Sequence, residues 1–161
     1  MNTQSFLFPL GTGIQMLGLA LMVGGMLSIG AFSAPVIFKH VARPEAGEIL
    51  TTIFRRYDNV LIAALIMVVV GEVLRIMASS GFQWQAPLPL ARYAVMKAMI
   101  VMMLFSIFKI NADIEAMHKA GIGYGATAEG QKFLQTHELS EKLYKTEMFG
   151  AVILILLTPF L

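Results

Sequence analysis

The first 38 residues carry no charged side chain, and the apolar run from about Gly13 to Phe38 stops at Lys39 and His40. Such a run exceeds the roughly 20 residues a helix needs to cross a bilayer core, so it predicts a first membrane span over about 13–38. It is also longer than the hydrophobic region of a signal peptide and lacks a basic segment before it, so it is expected to stay attached. Gly24-xxx-Ser28 and Gly30-xxx-Ala34 offer small-residue faces for a neighbouring helix. Pro35 is expected to bend the end of the span, because proline removes one backbone hydrogen bond.

From Pro44 the pattern becomes amphipathic. Ile49, Leu50, Ile53, Phe54 and Tyr57 form a stripe at helical spacing, with Glu48, Thr51, Thr52, Arg55 and Arg56 turned away. Nothing breaks this helix before the second apolar run, about 59–78, so one long helix projecting from the membrane is expected. Ser79 to Pro89, with Gly81, Trp84 and two prolines, reads as a short interfacial loop. A third span covers about 90–110, and Gly121 to Ala126 is a glycine-rich turn. Helix resumes near Thr127 and runs into a last span over about 146–161. Its uncharged stretch, Met148 to Leu161, reaches only about 21 Å at helical rise, so Lys145 to Glu147 must lie near or within the interface. The pattern as a whole predicts an all-α integral membrane four-helix bundle, a single domain over 1–161.

Composition supports the lipid setting. Apolar residues make up 57% of the 161, charged residues only 14%, and the mean hydropathy is +0.73, which is too apolar for a soluble domain. The net charge of +2 comes from basic residues scattered singly, which excludes a nucleic-acid surface. Lys39, Arg43, Arg55, Arg56, Lys109, Lys119, Lys132, Lys142 and Lys145 fall on one side of the predicted spans, against Arg75, Arg92 and Lys97 on the other. That asymmetry predicts cytoplasmic helical extensions, both termini on the non-cytoplasmic side, and residence in a bacterial inner membrane. The absence of cysteine leaves His, Met or carboxylate for any metal.

Four charges interrupt the spans: Glu72, Arg75, Arg92 and Lys97. Counted inward from the short loop, Glu72 and Lys97 lie at matching depth, which predicts an ion pair between them, serving either helix register or an ion or solute path. A second constellation, Phe133, His137, Ser140 and Tyr144, lies on one face of the last helix, with Arg55, Arg56, Tyr57 and His40 as expected neighbours. Opposite it, Glu138 with Lys142 and Glu141 with Lys145 suit a solvated helix face. His40, His118 and His137 all lie at the expected cytoplasmic end, which argues against a haem inside the bundle. Met22 with Met26, and Met99 with Met103, each place two thioethers on one helix face and are the candidates for copper. No cofactor is predicted, although haem and copper stay open. No phosphate loop, nucleophile–base pair or metalloprotease motif occurs.

The run from Gly24 to Phe38, then Phe54-Arg55-Arg56-Tyr57, then Phe133-xxx-His137-xx-Ser140 before a last apolar span, resembles the transmembrane-protein-205-like family, of the bacterial domain-of-unknown-function 4149 type. The resemblance covers nearly the whole chain and implies four spans without an established activity. A more distant similarity is to small bacterial protoporphyrinogen oxidases, with Lys97 comparable to a lysine of a later span. The histidine expected early in their first helix is missing here, so that activity does not carry over. The expected function is an accessory subunit of a larger membrane complex, or a component handling a small solute or ion. A haem- or porphyrin-linked redox enzyme and a copper-handling protein are the alternatives. The expected partners are the lipid bilayer and other transmembrane helices.

Overall fold

A computed structural model describes residues 3–79, 87–123, 125 and 127–158, with the side chains of 3–5 and 43–44 left out. These residues form helices α1 (Thr3–Leu27), α2 (Ala34–His40), α3 (Arg43–Ala78), α4 (Pro87–Phe105), α5 (Asn111–Lys119) and α6 (Ala128–Leu157), and no strand occurs among them. Most of the expected loop between the second and third spans, including Trp84, lies outside the described residues.

Local chemistry explains where the helices change or stop. Between α1 and α2 the rod continues through a widened π turn, Ser28–Ser33, in which Ala34 N–H reaches back five residues to the Ile29 carbonyl. This turn directly precedes Pro35, which has no N–H to give, and the Ser33 hydroxyl donates to the Ser28 carbonyl at 2.9 Å. A second widened turn, Ser106–Ile110, joins α4 to α5. Pro44 sits in the first turn of α3, where its missing donor costs nothing. Helix α5 ends at Gly121, whose φ of 71° reverses the chain. Gly121 N–H bonds the His118 carbonyl at 3.0 Å and Ile122 N–H bonds Met117 at 3.0 Å, the paired bonds of a glycine C-cap. Helix α6 starts under Thr127, whose hydroxyl accepts from Gly130 N–H at 3.1 Å.

Among the described residues, three helical rods are long and apolar enough to cross a membrane: Phe6–His40, Glu45–Ala78 and Pro87–Lys119. Helix α6 is not among them, and its last apolar turns run to Leu157. Its face is nonetheless part of the same core, in which Leu19, Met22 and Met26 of α1, Leu61, Ala64 and Val68 of α3, Met99 and Met103 of α4, and Ala151 and Leu154 of α6 are buried together.

The packing follows a seven-residue rhythm. Gly11, Gln15, Gly18 and Met22 are buried along α1, with Ile29 following in the widened turn; Tyr57, Leu61, Ala64, Val68, Gly71 and Arg75 along α3; and Glu147, Ala151 and Leu154 along the end of α6, with Thr158 at its C-cap. Alternating steps of four and three keep one face turned to a neighbour, as in a coiled coil. Helices α1 and α3 run antiparallel with their backbones in close approach. A Cβ built on Gly18 would lie 2.7 Å from the Ala64 carbonyl oxygen, and one on Gly71 would lie 2.5 Å from the Gly11 oxygen. The ring of Tyr57 occupies the space beside Gly25, seven residues further along. The seam therefore uses Gly11, Gly18 and Gly25, whereas Gly24 is exposed with nothing near it. The four-residue spacing Gly24-xxx-Ser28 faces outward, and Gly30 meets only the edge of Tyr144.

Candidate functional site

Polar side chains enter the core at two levels. At the first, Glu72 and Arg75 of α3, Gln15 of α1 and Arg92 of α4 are almost fully buried. Both terminal nitrogens of Arg92 clasp Glu72, Nη1 to Oε1 at 2.7 Å and Nη2 to Oε2, the forked geometry a guanidinium offers a carboxylate. Gln15 joins all three charges. Its amide nitrogen donates to Glu72 Oε2 at 2.9 Å, while its oxygen accepts from Arg92 Nη2 at 2.6 Å and from Arg75 Nη1 at 3.2 Å. Arg75 also lies over the Phe8 ring at 5.0 Å, a cation–π contact that partly replaces lost water.

This arrangement corrects the expected pair between Glu72 and Lys97. Lys97 is exposed, because it stands five residues beyond Arg92 and thus about 140° around the helix. Arg92, at the buried position, takes the carboxylate in its place. Counting depth from the loop missed both the rotation about the axis and the roughly 7.5 Å of rise between Arg92 and Lys97. The network ties three helices together, and with two guanidiniums against one carboxylate it keeps a net charge of +1.

The second level lies about 15 Å further along α1 by helical rise, around Gly25 and Met26. Glu147 of α6 is 1% exposed there, and no cation bonds it among the described residues. The Ser106 hydroxyl hydrogen-bonds its carboxyl, while the Oε1 oxygen has no partner. Two phenols flank it from neighbouring turns. Tyr57 donates to the Met22 carbonyl at 2.7 Å and Tyr144 to the Met26 carbonyl at 3.1 Å, so both hydroxyls are committed to the α1 backbone. Phe54 meets the Tyr144 ring edge-on, with centroids 5.6 Å apart. Glu147 was legible only as a charge just before the last apolar run. Its burial follows from the four-three rhythm that continues to Ala151 and Leu154.

Beyond this level the polar groups reach the surface. Arg55 bonds Glu115 at 2.5 Å and Asp58 at 3.2 Å, and Asn111 donates to Asp58 at 2.9 Å, which pins α5 to α3. Arg56 and His40 are exposed. The expected histidine face divides accordingly. Phe133 is buried, and His137 stacks flat against it with centroids 6.3 Å apart. A neighbour is His118 of α5, whose ring meets Phe133 edge-on at 5.3 Å. His137 is exposed as a residue, and partial loss of water around its ring holds the imidazole below its ordinary value, with Glu141 opposing and His118 adding to the effect. Ser140 is partly covered, and Tyr144 belongs to the second polar level.

All four candidate methionines are in the core: Met22, Met99 and Met103 are 0% exposed and Met26 is 1%. No group of three or more His, Cys, Asp or Glu residues able to hold a metal occurs among the described residues.

Neither a search of curated proteins nor one of solved structures gives a match. A family model does match, over residues 17–121, a stretch that holds α3, α4, α5 and part of α1, with Glu72, Arg75, Arg92 and the four core methionines. The chain belongs to the family described as Domain of unknown function (DUF4149).

Proposed function

We propose that this protein is a four-helix membrane bundle that handles a small ion, with Glu147 as its working group. Helix α6 is the fourth span in this reading, the larger connections face the cytoplasm of a bacterium, and both termini lie outside. Nine basic residues toward one side against three toward the other support that orientation. The kinship with transmembrane-protein-205-like proteins belongs to the same reading, on the strength of the Gly24 to Phe38 run and the His137-xx-Ser140 element.

The observation that carries the proposal is the unpartnered Glu147 Oε1; Arg92 Nε also lacks a partner among the described residues, but both terminal nitrogens of that guanidinium are bonded, whereas no cation bonds Glu147. An ionisable group inside a membrane protein is costly, and one that contributes no ion pair has no evident structural use. The Arg92–Glu72–Gln15–Arg75 network differs in this respect, since its groups hold one another and fix three helices in register. Ion handling thus centres on Glu147, and the charged network is its scaffold.

The test is ion-dependent thermal unfolding of the purified protein in mild detergent, across alkali, divalent and soft monovalent cations. A ligand at 100 times its Kd stabilises by about 2.7 kcal/mol. Stabilisation by one ion that disappears in Glu147→Gln supports the proposal. If no cation stabilises the native protein, and native mass spectrometry shows other polypeptides attached, the chain is an accessory subunit instead.

A further inference from the structure

Resting on the reading of Glu147 as an ion-handling group, we propose that the ion is a soft monovalent cation of the Cu(I) or Ag(I) type, held by the thioethers of Met22, Met26, Met99 and Met103 beside the Glu147 carboxyl. The sequence supplies two Met-xxx-Met pairs, one on each of two helices. The structure brings both pairs into one core, with all four side chains at 1% exposure or less.

Three contacts bring the segments that carry these methionines close to the carboxyl. Following α4 into its widened turn, Ser106 hydrogen-bonds Glu147 and lies three residues from Met103, less than one turn away. On α6, a Cβ built on Gly150 would lie 3.9 Å from the Met99 sulfur, and Gly150 is three residues from Glu147. On α1, the carbonyls of Met22 and Met26 accept the hydroxyls of Tyr57 and Tyr144, and Tyr144 stands three residues before Glu147. Each pair is therefore within about one helical turn of a group that touches or neighbours the carboxyl.

The donor set selects the ion. Thioethers are soft, uncharged donors that bind Cu(I) and its analogue Ag(I) and hold hard cations such as Mg²⁺ or Ca²⁺ poorly. Four neutral sulfurs leave the metal's single positive charge uncompensated in an apolar core. The one buried carboxyl at this level without an ion-pair partner supplies the balancing charge. No change of oxidation state is needed, because the cation binds and leaves as itself.

The experiment titrates the intact protein in mild detergent with silver nitrate in chloride-free buffer, read by thermal unfolding and by X-ray absorption at the silver edge, which reports sulfur neighbours. Variants are the paired replacements Met22→Leu/Met26→Leu and Met99→Leu/Met103→Leu, and separately Glu147→Gln. Methionine to leucine nearly conserves volume, so both paired variants are expected to fold. One silver per chain with a sulfur shell, weakened about tenfold or more by either leucine pair, is the expected result. Equal silver binding by the native protein and both pairs overturns the inference and leaves the methionines as core packing. Glu147-dependent stabilisation by a hard cation, with silver ignored, overturns the inference but keeps the ion-handling reading. Silver binding that needs the methionines but is unchanged in Glu147→Gln supports the thioether site and removes the carboxyl from the function.

Discussion

Gly18→Ala, compared with Gly24→Ala, isolates the close contact between α1 and α3. Both glycines lie in the same helix, and the same methyl group is added. At Gly18 the new carbon would sit 2.7 Å from the Ala64 carbonyl oxygen, 3.0 Å from a Val68 methyl and 3.1 Å from the Met67 Cβ. The first of these is backbone and cannot rotate away, so the helices must separate along the whole seam. At Gly24 there is nothing within 4 Å. Overpacking of this kind costs about 1–3 kcal/mol. Alanine's better helix propensity returns up to about 1 kcal/mol at either position. The expected balance is a loss of roughly 0–2 kcal/mol for Gly18→Ala and a gain of up to about 1 kcal/mol for Gly24→Ala, so that the two differ by about 1–3 kcal/mol. Reversible unfolding of the detergent-solubilised protein by added SDS, followed by circular dichroism, measures both. Equal effects at the two positions would refute the seven-residue glycine seam and reinstate the Gly24-xxx-Ser28 face as the packing surface.

Removing one member of the buried charge network should be far more damaging than removing the charge that sequence had paired with it. Arg92→Met removes the forked guanidinium from Glu72, leaving it the Gln15 amide and the more distant charge of Arg75, and is expected to cost about 3 kcal/mol, whereas Lys97→Met should stay within about 0.5 kcal/mol in the same unfolding assay. Adding Glu72→Leu to Arg92→Met should recover nothing and deepen the loss, because the buried Arg75 then faces no carboxylate. Tyr144→Phe removes the bond to the Met26 carbonyl and should cost about 0.5–1.5 kcal/mol. His137 gives a pH dependence with a definite sign. Its folded value is depressed, so the unfolded chain binds more protons, and its contribution is present above about pH 6.5 and lost as the pH falls through the folded value. Hydrogen exchange in the first half of α6, corrected for intrinsic rates, should accelerate between about pH 7.5 and about pH 5 in the native protein and much less in His137→Phe.

The sequence alone determined that this chain lives in lipid and is helical, because runs of about twenty apolar residues admit no other satisfied backbone. It also marked local events that depend on neighbouring residues only, such as the unbroken helix from Arg43 to Ala78, the turn at Gly121 and the restart of helix beyond Thr127. Only the tertiary structure decided which face of each helix looks inward. In water, an amphipathic stripe reports that choice; in lipid, the outward face is as apolar as the core, as Phe32 at 70% and Phe108 at 66% exposure show. Rotation about the helix axis is therefore nearly silent in the hydropathy pattern. That is why Glu72 was assigned to Lys97 and not Arg92, why a four-residue glycine spacing was read where a seven-residue one packs, and why the inward turn of Glu147 was not visible in the sequence.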